Sequence, residues 1–319
     1  MTGAAVSCVG AGPIGSSWAI VFARAGYIVR LYDREERAYG PALAYIERSL
    51  ADLRNEGLIT DERGIRVRIR IAASLAEAVR GAQLVVESIV EDGEVKRRFF
   101  SDLDRVISPG ALATSSSSAI PGSEFMGHIE MKDRCLVVHP VNPPHLIPVV
   151  EFCATPWTSP STLESCWALM EQAGQHPIRV NKEIPAFVVN RLQAAIIGEA
   201  MHLVDQGIVT VEDLDRAVKF GIGRRLAFTG PFESMHLNSS LSFEAYLDKY
   251  KKMLRGMVEA TKVTSPWSDE LLKKVSAERD RMLPPGDIPD RIAWRDRKLM
   301  KLAKIWAETE KKDDGTNSA

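Results

Sequence analysis

The sequence has few cysteines, no surplus of charge and no long apolar run. The four cysteines of the 319-residue chain include no CxxC pair, and no histidine lies at metal-ligand spacing, so neither a disulfide framework nor a metal site is predicted. With 41 Lys and Arg against 42 Asp and Glu, the chain lacks the basic surplus that binding to nucleic acid or anionic lipid favours. No apolar run reaches the ~18 residues of a membrane helix, and residues 1–9 are too short for an export signal. We therefore expect a cytoplasmic protein with buried, reduced cysteines.

The composition, 45% hydrophobic and 26% charged, is that of a globular chain, and its length suggests about two domains. Up to residue 180, short β-rich runs alternate with helical patterns, which predicts a mostly parallel, doubly wound sheet. After Asn181 the pattern is helical, with a long apolar helix over 187–206 and a capping box at 210–213. We predict an α/β domain over 1–183 and an all-helical domain over 184–319.

The predicted strands are 4–9, 27–32, 67–72, 84–89, 111–115, 135–139 and 147–153, and the predicted helices among them are 14–25, 37–55 and 94–107.

A glycine motif, GAGPIG, lies directly between the first predicted strand and helix. Gly10 permits a tight turn, Gly12 lets the main chain approach a pyrophosphate, and Gly15 lets the helix pack on the strand. Asp33 closes the second strand, 18 residues past Gly15, where an acid binds the adenosine ribose and repels a 2′-phosphate. This pattern favours NAD over NADP, although the adjacent Arg34 leaves NADP open. The predicted cofactor-binding residues here are Gly10, Gly12, Pro13, Ile14, Gly15 and Asp33, in a Rossmann-type domain.

A histidine and a glutamate follow on later strands. His139 closes the strand 135–139, at the edge of the sheet where ligands bind in α/β folds. Glu151 lies 12 residues on, in an apolar run, and a carboxylate there could fix the imidazole for proton abstraction. A satisfied strand-end histidine and an edge-strand glutamate would give the same pattern, because the spacing carries no geometry. The serine run 115–118 also has two interpretations. It is either a flexible turn or a set of hydroxyls that line a nicotinamide site.

These motifs occur in a recognisable order. The glycine motif with Asp33 is followed by VED at 90–92 with Lys96, the serine run, HPVNPP at 139–144, Glu151 and FVVNRL at 187–192. The series resembles the L-3-hydroxyacyl-CoA dehydrogenase superfamily over residues 6–307. HPVNPP, RLAF at 225–228, GPFESMHLN at 230–238 and WRD at 294–296 are most similar to its λ-crystallin / L-gulonate 3-dehydrogenase branch.

The resemblance implies roles for individual residues. His139 and Glu151 would form a catalytic dyad, and Ser117 would hydrogen-bond the substrate oxygen. Asn142 and Asn190 would hold nicotinamide and substrate in reacting geometry. Two further residues, Glu91 and Lys96, match positions that contact the nicotinamide-side ribose, although the run 96–98 is also typical of a solvated basic helix face.

The chain departs from the acyl-CoA enzymes after its second strand. Those enzymes have a lysine-rich helical hairpin that meets the CoA phosphates, whereas the stretch 38–53 here has one basic residue, Arg48. An adenosine 3′-phosphate would find little charge to pair with, which favours a free hydroxy acid as substrate. Arg225 is our candidate for its carboxylate, because a guanidinium matches a carboxylate with two parallel bonds. A solvated loop arginine is the alternative for Arg225, and Arg224 is a rival for the role.

We therefore predict NAD-dependent oxidation of the 3-hydroxyl of a small free hydroxy acid, with His139 as the base. A short-chain 3-hydroxyacyl-CoA or carnitine dehydrogenase is the alternative within the enzyme class. A crystallin-like structural protein that binds NAD(H) is the alternative outside it. The resemblance also implies a homodimer formed through the helical domain.

Overall fold

A computed structural model describes residues 4–238, 242–261 and 267–316. Its strands are β1 Ala5–Val9, β2 Ile28–Tyr32, β3 Ile69–Ile71, β4 Ala82–Glu87, β5 Leu112–Ser115, β6 Cys135–Pro140, β7 Val149–Ala154 and β8 His176–Val180. Its helices are α1 Pro13–Arg24, α2 Tyr39–Asn55, α3 Glu62–Arg68, α4 Leu75–Val79, α5 Gly93–Asp104, α6 Pro160–Gln172, α7 Val189–Asp205, α8 Val211–Ala217, α9 Gly223–Leu226, α10 Pro231–His236, α11 Phe243–Ala260, α12 Asp269–Met282 and α13 Ile288–Thr316. No helix in these ranges is long and apolar enough to cross a membrane.

The strands form one sheet in the order β3-β2-β1-β4-β5-β6-β7-β8. All neighbouring pairs are parallel except β6 and β7, which are antiparallel. The strand order reverses beside β1, which leads into the glycine motif, and this reversal is where doubly wound sheets bind nucleotides. The predicted α/β fold class with a following helical region is confirmed.

Several predicted elements differ from the observed ones. The predicted strand 67–72 is wrong at its start: Asp61 caps α3 by accepting the Gly64 N–H, and the helix continues to Arg68. The predicted helix 187–206 begins only at Val189, since Phe187 has a positive φ of 49°. The sequence pattern did not predict β8, whose residues are mostly exposed.

Both faces of the sheet are covered, because successive strand residues point to opposite sides. In β6, Leu136 and Val138 pack in a cluster with α1 and α2, whereas Val137 packs in the other cluster with Phe100 of α5. By this alternation, His139 lies on the same face as Val137 and α5.

The chain forms two compact units: described residues up to Arg191 together with those from Ile292 on, and Leu192–Arg291. The first unit holds the sheet and its two apolar clusters. The second unit is helical, and its main buried cluster is small, consisting of Met201, Val204, Val211 and Leu271. Thr210 caps α8 by accepting the Asp213 N–H, as the capping-box pattern predicts.

His145, in the connection between β6 and β7, is buried without a hydrogen bond to its Nδ1 from any described residue. Its ring meets the edge of Tyr45 on α2, with 6.0 Å between ring centroids. Burial, together with the positive charges of Arg24 and Arg295, lowers the pKa of His145 from near 6.5 to about 3. The folded protein therefore keeps this imidazole neutral.

This neutral histidine makes stability depend on pH. Acidification from pH 6.5 towards 3 protonates His145 in the unfolded chain but not in the folded protein, so stability falls as the pH decreases. We expect a loss of about 2 kcal/mol from this group between pH 7.5 and pH 5. His145→Phe keeps a ring against Tyr45 but cannot be protonated. Urea unfolding should therefore show a smaller decrease in its free energy of unfolding between pH 7.5 and pH 5 than in that of the wild type. The matched control is His176→Phe, at an exposed histidine. An equal decrease in the free energy of unfolding in wild type and His145→Phe would contradict the neutral state assigned to His145.

Candidate active site

The glycine motif forms a cradle, residues 10–15, at the end of β1. Gly10 has a φ of 99°, and a Cβ there would collide with the Ser88 carbonyl. A Cβ on Gly15 would collide with the Gly10 carbonyl, so both glycines are required by close backbone packing. A Cβ on Gly12 would meet no atom within 4 Å. Open space above Gly12 is what a pyrophosphate needs to approach the main chain.

The start of α1 and Asp33 supply the polar groups of this cradle. Gly12 is the N-cap of α1 and Pro13 its first residue, and no side chain caps the helix, which leaves its first N–H groups to an anion. The Asp33 carboxylate is held by the N–H groups of Ala11, at 2.7 Å, and Glu35, at 2.9 Å. Gly12, Asp33 and Glu35 line a cavity of about 750 Å³, and Arg34 and Arg98 line it as well. The residues present therefore fit a dinucleotide.

His139 and Glu151 are direct neighbours across β6 and β7. The antiparallel register pairs them, and His139 Nδ1 lies 2.6 Å from Glu151 Oε2. Glu151 is fully buried and His139 is 4% exposed. The imidazole Nε2 has no hydrogen bond to any described residue, so it is the ring nitrogen left for a ligand. Since β7 lies between β6 and β8, Glu151 is not on an edge strand.

The other oxygen of Glu151 binds the backbone at the start of α7. Oε1 accepts the N–H groups of Val188, at 2.7 Å, and Val189, at 3.0 Å. Burial raises the pKa of Glu151, but the hydrogen bonds from His139, Val189 and Val188 outweigh it and hold that pKa below its usual value. The carboxylate is thus ionised and oriented beside the imidazole.

A strained turn precedes these two N–H groups. Ala186 and Phe187 have φ values of 63° and 49°, in the left-handed region that non-glycine residues seldom adopt. Phe187 is fully buried, with its ring centroid 5.3 Å from that of His139. Backbone strain of this kind persists only where surrounding contacts enforce it. Here the surrounding contacts include the Glu151 carboxylate, the imidazole, and the Ala119 carbonyl, which accepts the Ala186 N–H at 3.1 Å.

Glu91 organises the loop that follows β5, residues 115–120, here called the serine loop. Its Oε1 accepts the N–H groups of Ser118 and Ala119, both at 2.9 Å, and lies 2.7 Å from Ser117 Oγ. Burial raises the pKa of Glu91, while the Ser117 hydroxyl, the Ala119 N–H and the Lys96 charge lower it further than burial raises it. The Ser117 hydroxyl is fully buried and also contacts the Ile120 carbonyl at 2.8 Å. It would have to give up these acceptors to donate to a substrate oxygen.

Lys96 is an internal counter-ion. It is 1% exposed, and its Nζ lies 2.8 Å from Glu87 Oε1 and 3.3 Å from Glu91 Oε2. Glu87 is fully buried and also accepts the Ser115 hydroxyl at 2.6 Å. Lys96 therefore does not lie on a solvated helix face, and its contact with the nicotinamide-side ribose and neighbouring groups stays a prediction. Sequence reasoning missed Glu87, although a carboxylate in an otherwise apolar run was the signal used for Glu151.

The remaining predicted residues have different surroundings. Asn190 Nδ2 donates to the Ser118 carbonyl at 2.7 Å, which connects the start of α7 to the serine loop. Asn142 is exposed after β6. Arg225 is exposed on α9 in the second unit, where the Arg224 guanidinium lies over the Phe220 ring at 5.6 Å. The structure thus groups His139, Glu151, Ser117, Glu91 and Lys96 along one edge of the sheet.

Residues 5–184 match the family model of the 3-hydroxyacyl-CoA dehydrogenase NAD binding domain, and residues 187–278 match the model of the 3-hydroxyacyl-CoA dehydrogenase C-terminal domain. The chain belongs to the 3-hydroxyacyl-CoA dehydrogenase family. With its glycine cradle and Asp33, this member of the family is an NAD-dependent dehydrogenase.

Relatives of this dehydrogenase include λ-crystallins. The λ-crystallin homolog of Homo sapiens is 37% identical over 319 residues, covering 97% of this chain and 99% of that protein, which puts the chain in the λ-crystallin branch. The L-carnitine dehydrogenase of Streptomyces coelicolor is 33% identical, covering 93% of each chain. The crystal structure of 5-formyl-3-hydroxy-2-methylpyridine 4-carboxylic acid 5-dehydrogenase, an NAD+-dependent dismutase, superposes with a TM-score of 0.83 at 28% identity, covering 94% of this chain and 97% of that one.

Proposed function

We propose that this dehydrogenase oxidises the 3-hydroxyl of a small free hydroxy acid, of the kind that its similarity to the L-gulonate 3-dehydrogenase branch implies. The observation that carries the proposal is the 2.6 Å hydrogen bond between His139 Nδ1 and Glu151 Oε2. A base held in this way at the carboxyl end of a strand, on a fold that binds NAD, supports oxidation of an alcohol.

In the proposed reaction His139 Nε2 accepts the proton of the substrate hydroxyl. Glu151 keeps the Nδ1–H tautomer in place, because its carboxylate can only accept, and it stabilises the imidazolium that forms. NAD, when bound, accepts the hydride from the carbinol carbon. Asn142 and Asn190 are proposed to orient the substrate and the nicotinamide. Ser117 is proposed to support the substrate oxygen once its hydroxyl turns from Glu91.

The charge pattern of the α2–α3 hairpin supports a free acid over a CoA thioester. Four of its arginines, Arg54, Arg63, Arg66 and Arg68, lie outside the stretch 38–53, and three of these already have an acceptor. Arg54 pairs with Glu62 at 3.4 Å, and Arg66 pairs with Glu47 at 3.2 Å. Arg68 donates to a backbone carbonyl of α1 at 3.2 Å. A CoA phosphate would therefore compete with acceptors of the protein itself.

The base can be removed without disturbing the cradle. We expect His139→Gln to lower turnover by about 10²- to 10⁴-fold, because a general base is lost. Glu151→Gln should lower turnover similarly, since an amide N–H facing Nδ1 would leave the proton on Nε2. NADH affinity, measured by fluorescence titration, should stay unchanged in both variants. Near-normal turnover of either variant on the best substrate would defeat the assignment.

Arg225 is proposed to bind the substrate carboxylate. Arg225→Met should raise the Michaelis constant for an acidic substrate much more than for a neutral alcohol analogue, because only the acid can form the paired bonds. Arg224→Met, at the guanidinium that lies over Phe220, is the matched control. NADH formation across gulonate, 3-hydroxybutyrate, carnitine and 3-hydroxyacyl-CoA gives the substrate class. Preference for carnitine, the substrate named for the 33% identical relative, would replace a gulonate-like substrate, which the similarity to the L-gulonate 3-dehydrogenase branch implies.

The exposed apolar side chains of the second unit support a homodimer. Ile208, Phe232 and Leu237 are 68%, 75% and 69% exposed, whereas the buried cluster of this unit has only four residues among those described. An apolar groove of about 730 Å³ lies along Ala194, Gly198 and Ile208. We propose that a second copy of the chain covers this face.

Sedimentation equilibrium tests the dimer. We expect a species of twice the 35.2 kDa chain mass, and Ile208→Asp should weaken the dimer about 10-fold or more, because a carboxylate would be buried without a partner. Val67→Asp, at an exposed valine of the first unit, is the control and should leave the dimer intact. A monomeric wild type at micromolar concentration would refute this proposal alone.

The cysteines support a reducing compartment. All four are buried and free, and burial raises the pKa of the Cys166 thiol to about 12. Protonated, buried thiols are inert. We propose that the enzyme works in the cytoplasm.

A further inference from the structure

Three side chains that the proposed reaction does not use form a hydrogen-bonded chain behind the cradle, here called the hydroxyl relay. Trp18 on α1 donates its indole N–H to Ser116 Oγ at 3.0 Å. Ser116 Oγ lies 3.1 Å from Ser88 Oγ. The backbone fixes both serines, since the Ser88 N–H donates to the Val9 carbonyl at 2.7 Å and the Ser116 N–H to the Glu87 carbonyl at 2.8 Å.

The chemistry of the groups determines what the hydroxyl relay can offer. An indole N–H only donates, so Ser116 must accept from Trp18. Ser88 and Ser116 each have one hydroxyl hydrogen. One of these two hydrogens forms the hydrogen bond between the two serine oxygens. The other hydrogen has no acceptor among the described residues. Trp18 is fully buried and stacks on Phe22 at 5.5 Å, whereas Ser88 and Ser116 are partly exposed. The hydroxyl relay therefore presents one oriented donor to the outside.

The sheet order gives the direction in which this donor lies. Ser88 follows β4 and Ser116 follows β5, and these strands stand between β1, which leads into the cradle, and β6, which ends at His139. Neighbouring strands are ~4.8 Å apart, so the serines lie roughly one and two strand spacings from the end of β1 towards the base. A molecule that reaches from the cradle to His139 passes over them.

We propose that Ser116 and Ser88 donate a hydrogen bond to an oxygen of the nicotinamide riboside half of NAD, and that Trp18 is a positioning residue that acts through Ser116. The proposal rests on the proposed base at His139 only for the direction in which the nicotinamide points. The cradle and Asp33 serve the pyrophosphate and the adenosine, whereas the hydroxyl relay serves the other half of the cofactor.

Binding of NAD and of ADP to the full chain separates the two halves of the cofactor, because ADP lacks the nicotinamide riboside. By isothermal titration calorimetry, Ser116→Ala should weaken NAD binding about 3- to 10-fold, the value of one hydrogen bond, and leave ADP binding unchanged. Ser88→Ala should show the same selectivity for NAD. The control is Ser17→Ala, whose hydroxyl on α1 contacts Tyr45 at 3.0 Å and should affect neither ligand.

Trp18→Phe keeps an aromatic ring against Phe22 but removes the indole N–H. It should weaken NAD binding when Ser116 is present and have no further effect in the Ser116→Ala background. If this core variant does not fold, the two serine variants still decide the question. Equal losses of NAD and ADP affinity, or unchanged NAD affinity in Ser116→Ala, would overturn the proposal. These binding measurements need no substrate, so failure of the hydroxy-acid assays would leave their outcome intact.

Discussion

The carboxylate of Glu151 is the group on which the geometry around His139 depends. One of its oxygens binds His139 in the neighbouring strand, and the other accepts two backbone N–H groups at the start of α7. A buried carboxylate is costly unless it is hydrogen-bonded, and here three donors satisfy it. Because these donors come from two separate segments, the ionised carboxylate fixes the imidazole and the chain that packs over it together.

Sequence patterns locate the central strands but not the contact between His139 and Glu151. The strands β1, β2, β4, β5, β6 and β7 are apolar runs, and each lies within about two residues of its predicted range. The dyad depends instead on the antiparallel register of β6 and β7, in which a connection of irregular structure brings residues 12 apart to the same level. The strand β8 gave no pattern, since only Val180 is buried in it and Pro177 interrupts it.

The two ion pairs of Lys96 explain why the local charge pattern did not predict the burial of this side chain. Its neighbours Arg97 and Arg98 are exposed, so the run looks solvated. Helical spacing is the better guide, because Lys96 lies one turn before the fully buried Phe100 and therefore on the inner face of α5. There its ammonium meets Glu87 and Glu91, and this charge balance lets Glu91 hold the serine loop.

The strained turn at Ala186 and Phe187 shows how folding and chemistry are coupled in this site. Two consecutive left-handed residues cost of order 1–3 kcal/mol each. Hydrogen bonds to a charged group contribute about 1.5–3 kcal/mol each, so the two N–H groups donated to Glu151 offset a cost of that size. If the turn relaxed, the carboxylate would lose two of its donors and the ring of Phe187 would leave His139. If the carboxylate were lost, the turn would lose the two hydrogen bonds that offset its strain. His139, Glu151 and the start of α7 are therefore one cooperative structure, and the orientation of the imidazole depends on where that helix begins.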